Sequence, residues 1–110
     1  MIFQHTWEAV LSGTKTQTRR RARGSYEIGC TYAVQPGRGK SAVGRIEITR
    51  IREALCAGNI SDADAAAEGF ESVQAWRDVY QTMHGFTALN RPCWVLEFQL
   101  VKRGREKATA

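Results

Sequence analysis

Three cysteines, two prolines and two histidines are all that the 110 residues contain of these types, and each scarcity removes a class of protein. Cys30, Cys56 and Cys93 are odd in number, far apart and form no CxxC pair, which excludes a disulfide framework and any thiolate metal cage. His5 and His84 stand alone, so no HxxxH ligand pair exists and no structural metal is expected. Hydrophobic runs are short: none approaches the roughly 20 residues that span a bilayer. The opening MIFQHTWEAV lacks a basic stretch followed by an apolar one, so it does not read as a secretory leader, and a cytoplasmic protein without membrane contact is expected. Acidic residues are scarce in one half only. Residues 1–52 carry a net +7, residues 53–101 a net −5, and residues 102–110 a net +3. A basic half beside an acidic one makes an oriented surface suited to a polyanion or a nucleotide-like ligand.

What remains is enough for one domain with one modest core. Thr6 sits at an N-cap position before Trp7, Val10 and Leu11, which share a helical face, and Gly13 ends that helix. TKTQTRRR is β-branched at every second position from Thr14 to Thr18 and reads as a strand. A turn at Arg23-Gly24-Ser25 leads to a strand over residues 31–35, and QPGRGK (35–40) is a loop by its proline and glycines. SAVGRIEITRI (41–51) is the longest strand, with Ile46 and Ile48 on one face. Ser61 caps a helix DADAAAE that stops at Gly69, with Asp64 in the capping-box place. Ser72 caps a second helix whose Val73, Trp76, Val79, Tyr80 and Met83 form an apolar stripe, read as core. The closing strand CWVLEFQLV buries Trp94, Leu96, Phe98 and Leu100 on one side, and residues 102–110 read as a frayed basic tail. The order is α+β: a small mixed barrel or curled sheet with flanking helices.

Three places carry polar groups that local structure does not demand: Lys15 with Thr18 and Arg20, the QPGRGK loop, and Glu68 at an anionic position against a helix's negative end. Gly13-x-Lys15-x-x-Thr18-x-Arg20 resembles the signature of the ASCH domain, a member of the PUA-like superfamily of small β-barrels associated with RNA. The resemblance runs on through YAVQPGR, AVGRIEITRI, ISDADAAAEGF and WVLEFQLV, covering about residues 3–101; residues 1–101 are therefore taken as the ASCH-like domain and 102–110 as tail.

Many ASCH domains carry glutamate where this chain has Thr18. The threonine form is similar to bacterial family members that deacylate N4-acetylcytidine, in which a lysine is the proton acceptor, a threonine the nucleophile and a glutamate the proton donor. The resemblance thus implies these roles for Lys15, Thr18 and Glu68, with no metal or cofactor. A threonine hydroxyl needs a base within reach, and lysine serves as one only if burial and neighbouring charge bring its pKa down. Residues three apart in a regular strand point to opposite faces, so Lys15 and Thr18 cooperate only if Lys15 lies in the bend after Gly13 or a bulge intervenes.

Arg19, Arg20, Arg21, Tyr32, Gln35, Arg38 and Lys40 are the candidates for ligand contact, the loop cations for phosphate and Tyr32, like Trp7, for base stacking or core. The expected partner is a modified nucleoside or single-stranded RNA. Two alternatives to hydrolysis stay open: an RNA-binding module without catalysis, and, less favoured for want of a histidine pair, an RNA nuclease.

Overall fold

The computed structural model describes residues 1–55 and 57–104; Cys56 and the last six tail residues lie outside. In chain order the elements are α1 (Trp7–Ser12), β1 (Gln17–Arg20), β2 (Thr31–Val34), β3 (Gly44–Ala54), α2 (Asp62–Ala67), α3 (Val73–His84), a 3-10 helix (Phe86–Asn90) and β4 (Cys93–Arg103). The four strands form one antiparallel sheet in the order β1-β4-β3-β2. A parallel bridge between Ile2 and Gln35 makes the sheet mixed at its β2 end. The fold is the expected α+β arrangement of a curled sheet with helices at its end.

Its curl has two sources. β3 and β4 slip register between Arg45 and Ile46 and again between Ile48 and Arg50, and such bulges bend and twist a long ribbon. The N-terminal segment then reaches from the β2 end towards β1. Gln35 N–H donates to Met1 O and Phe3 N–H to Gln35 O, while Arg20 Nη2 on β1 donates to Ile2 O at 2.8 Å. A side chain completes what a main-chain ladder leaves open.

Two expectations about strands are corrected. Thr14–Thr16 are not strand: Lys15 N–H donates to Ala9 O and Thr16 N–H to Ala67 O, although Thr16 O accepts from Phe98 N–H of β4. β1 therefore begins only at Gln17. β3 begins at Gly44 rather than Ser41 and runs on to Ala54. A Cβ at residue 44 would meet Lys102 O at 2.7 Å and Leu11 Cδ2 at 2.8 Å, so close packing there admits only glycine.

β4 is also buried on both sides rather than one. Leu96 and Phe98 pack with Phe3, Val10, Val34, Ile46 and Ile48 in one cluster. Cys93 and Val95 face the opposite way, into a second cluster with Ile60, Ala65, Trp76, Tyr80 and Ala88. The helices α2 and α3 cover that second face, which is why a strand read as one-sided carries Val95 at full burial. Each fully buried Ile, Leu or Val on these strands is worth about 1.5–3 kcal/mol of transfer free energy. β4 reaches Arg103, with Lys102 opposite Arg45, so pairing extends two residues past the strand end expected from CWVLEFQLV.

The helix ends follow the sequence closely. Ser61 Oγ accepts from Asp64 N–H at 3.1 Å and Ser72 Oγ from Ala75 N–H at 3.0 Å. Thr6 occupies the N-cap of α1 but makes no side-chain cap bond. α2 stops at Ala67, with Glu68 as its C-cap and Gly69 following at φ +88°. No helix of the described residues is long and apolar enough to cross a membrane.

Candidate functional site

One cleft of about 480 Å³ opens between the N-terminal segment, the outer edge of β1, the end of α2 and one side of α3. That volume is of the size small-molecule sites occupy. Its wall includes Phe3, Lys15, Thr18, Arg19, Arg20, Arg21, Tyr26, Glu68, Phe70, Trp76, Tyr80 and His84. Six sequence candidates, Lys15, Thr18, Arg19, Arg20, Arg21 and Glu68, thus share one site. The geometric condition on Lys15 and Thr18 is met by the first of its two routes. Lys15 lies before β1, in the bend that follows the left-handed Gly13, and so escapes strand alternation.

Lys15 is 4% exposed. Its Nζ donates to the backbone oxygen of Glu68 at 2.7 Å and lies 5.8 Å from the Phe3 ring centroid and 5.9 Å from that of Phe70. Donation to a helix's last carbonyls suits a cation. Among the described residues it forms no ion pair. Burial brings its pKa from 10.5 down to about 8; Glu68 pulls upward against this and Arg20 pushes further down. Gly69 fixes the stem: a Cβ there would stand 3.1 Å from Ala9 Cβ and 3.2 Å from Lys15 Cβ. The glycine is required by its positive φ and by this approach.

The carboxylate of Glu68, 1% exposed, points elsewhere. Oε2 accepts from Gln17 Nε2 at 3.0 Å and Arg19 Nε at 3.1 Å; Oε1 accepts from Arg19 N–H at 3.2 Å and Trp76 Nε1 at 3.0 Å. Four donors fill the acceptor sites of this one carboxylate. Arg19 in turn donates to Asp64 Oδ2 at 3.3 Å and to Cys93 Sγ at 3.8 Å. Burial pushes the Asp64 carboxyl up, but hydrogen bonds from Gln17 and Ser61 and the Arg19 charge outweigh it and hold it below its usual value. Burial raises the Cys93 thiol despite the nearby guanidinium.

The three arginines diverge in role. Arg19 lines the cleft with its guanidinium committed to Glu68 and Asp64. Arg20 lies 5.5 Å from the Phe3 ring and spends one donor on Ile2 O, leaving others for a ligand. Arg21 is exposed at the rim.

The other ligand candidates do not line the cleft. Tyr32 packs edge-on to Tyr26 and its hydroxyl accepts from Glu27 N–H. Gln35 donates to Lys40 O, and Arg38 and Lys40 are exposed on the same loop. Trp7 packs against the Phe3 cluster. Among the described residues no group of three His, Cys, Asp or Glu side chains is placed to hold a metal ion.

Sequence reasoning missed the aromatic wall. Trp76, Tyr80 and His84 recur every fourth residue on α3, with Trp76 and Tyr80 stacked at 4.7 Å and His84 edge-on to Tyr80 at 4.6 Å. Their helical spacing was the available signal, but an apolar stripe reads as core. Trp76 and Tyr80 are indeed buried yet also form cleft wall, together with Val79 and with Met83, which is 56% exposed. The stripe thus belongs to the cleft as well as to the core. Phe3 and Phe70 had no sequence signal, since their place depends on the Ile2–Gln35 bridge and on the turn at Gly69.

Comparison with known proteins gives the fold a name. No family model and no curated protein matches the chain. Solved structures do. An ASCH domain from Lactobacillus crispatus superposes with a TM-score of 0.71 at 19% identity, over 88% of this chain and 70% of that one. A DUF984 protein from Enterococcus faecalis gives 0.69 at 16%, over 91% and 69%, and the ASCH protein of Zymomonas mobilis 0.64 at 19%, over 94% and 71%. The chain has the ASCH-domain fold.

Proposed function

We propose that this chain is an amidohydrolase that deacylates N4-acetylcytidine or a closely similar nucleoside amide, within the RNA-related chemistry that its fold suggests. The observation that carries the reading is a lysine buried to 4% exposure, with a pKa of about 8, lining the same cleft as a buried threonine. At pH 7.5 roughly a quarter of such a lysine is neutral, against roughly a thousandth for an unperturbed one. A base of this kind contributes about 10²–10⁴-fold to a reaction.

In the reaction, neutral Lys15 takes the Thr18 hydroxyl proton as Oγ bonds to the acyl carbon. Arg20, which has donors to spare, holds the oxyanion. The C–N bond then breaks, and the Lys15 ammonium returns the proton to the leaving N4 nitrogen, freeing cytidine. Water adds to the acyl-threonine ester, giving its proton to Lys15; acetate leaves as Thr18 Oγ recovers that proton. Glu68 stands in the place the family resemblance gives to a proton donor. With four N–H groups already donating to its carboxylate, positioning suits it better: its backbone oxygen aims Lys15, and its carboxylate ties β1 to α3.

Chromatography of N4-acetylcytidine incubated with the protein tests this reading. Cytidine should appear with the parent and with Arg38→Ala and Lys40→Ala, and be lost in Lys15→Ala and Thr18→Val. Absence of turnover by the parent refutes it. The second reading, an RNA-binding module, draws on one feature: exposed Arg21 beside Arg20 at the rim, within a basic half of net +7. It predicts RNA affinity that falls steeply with salt and does not need Lys15.

A further inference from the structure

Among the described residues only two buried side-chain polar atoms have no hydrogen-bond partner, and one of them, the Tyr80 hydroxyl, belongs to a residue of the cleft wall. Tyr80 is 5% exposed. Its ring is held on one side by Trp76, stacked at an interplanar angle of 21°, and on the other by the edge of His84. A buried hydroxyl left without a partner costs about 1–3 kcal/mol. Phenylalanine would fill the same aromatic stack without that cost, so the hydroxyl asks for a reason outside the folded chain alone.

Position supplies one. Lys15 is flanked by Phe3 and Phe70, whereas Tyr80 is flanked by Trp76 and His84. Two polar groups are therefore carried by two different aromatic pairs of one cleft. Lys15, Thr18 and Tyr80 line the same cleft, so a ligand that fills it lies against all three residues. Burial pushes the Tyr80 pKa up to about 12, so at any ordinary pH the hydroxyl keeps its proton and can donate it in a hydrogen bond. On a cytosine ring acylated at N4, the carbonyl acceptor remote from the acyl group is the C2 oxygen.

Resting on the proposed deacylation, we infer that Tyr80 is a specificity residue whose hydroxyl donates to the C2 carbonyl of the pyrimidine base. It touches substrate in ground and transition states alike, so it contributes to binding and not to the chemical step.

The test is Tyr80→Phe, with calorimetric titration of cytidine and of 2-thiocytidine, whose sulfur is a poor acceptor, and with N4-acetylcytidine kinetics alongside. The variant should bind cytidine about five- to thirtyfold more weakly than the parent. It should bind 2-thiocytidine as the parent does, and raise KM with kcat little changed. Its urea midpoint should equal or exceed the parent's, because no internal hydrogen bond is lost.

Equal cytidine affinity in parent and variant overturns the inference, as does failure of the parent to bind cytidine at millimolar concentration. A clear fall in the urea midpoint overturns it too, since the hydroxyl would then have an internal partner. Loss of cytidine affinity without any turnover by the parent keeps Tyr80 as a base-reading group and refutes the deacylation alone.

Discussion

Lys15→Met should make the protein more stable at neutral pH while removing the proposed base. The magnitude follows from the site. A fall from 10.5 to about 8 means that the folded state disfavours the charged amine by on the order of 3 kcal/mol. The group is almost wholly buried, so solvent screening takes little from that figure. Methionine keeps the stem that packs between Phe3, Phe70 and Gly69 but carries no charge. What it loses is the 2.7 Å bond to Glu68 O, and a buried carbonyl left without that donor costs about 1–3 kcal/mol. The balance at pH 6.5 is a net gain of roughly 1 kcal/mol.

The sign then reverses with pH. Between about pH 8 and 10.5 the unfolded lysine holds a proton that the folded one has released, so the parent's stability rises across that window. By pH 10.5 the neutral amine still hydrogen-bonds and costs nothing in charge, and the parent should be ahead by about 2 kcal/mol. Urea titrations of both proteins at pH 6.5, 8 and 10 measure the difference, in which all other titrating groups cancel. A difference that stays flat across this range, or a variant more than about 2 kcal/mol weaker at pH 6.5, refutes the reasoning.

Glu68→Gln should cost about 3–5 kcal/mol, because the Arg19 guanidinium, with its side chain 2% exposed, loses the carboxylate 3.1 Å away. Asp64→Asn, on a side chain 29% exposed, should cost at most about 1 kcal/mol, and equal urea midpoints for the two variants would contradict this ranking. Gly69→Ala should cost about 1–3 kcal/mol through its φ of +88° and its approach to Lys15 Cβ. Its turnover of N4-acetylcytidine should fall further than that of Gly37→Ala, whose added Cβ finds only ordinary contact with the Lys40 side chain.

What the sequence showed of the fold was what neighbours in the chain decide. Ser61 and Ser72 bond the N–H groups expected of caps, and Gly13 and Gly69 adopt the left-handed conformation that ends α1 and α2. The misreadings have one cause, which is bonding between distant segments. TKTQTRRR alternates like a strand throughout, yet Ala9 O and Ala67 O take the N–H groups of Lys15 and Thr16, so regular pairing with β4 begins only at Gln17. Val95 looks like the outer face of a one-sided strand until α2 and α3 cover it. On the α3 stripe Trp76 is core and cleft wall at once while Met83 is cleft wall and exposed, and periodicity alone does not divide the two.

The same distinction governs the site. Lys15, Thr18 and Glu68 were legible as residue types at characteristic places, but the way Glu68 divides its bonds was not. Its carboxylate turns to Arg19, Gln17 and Trp76, and only its main-chain oxygen meets Lys15. Had the carboxylate faced Lys15 instead, the ion pair would hold the lysine's pKa up and leave no neutral amine near pH 7.5. Arg19 is what prevents this, by binding the acid through both its backbone N–H and its guanidinium. An arginine expected to contact ligand thus serves the site from within: it keeps the Glu68 carboxylate engaged, so that burial is the largest influence on the protonation of Lys15.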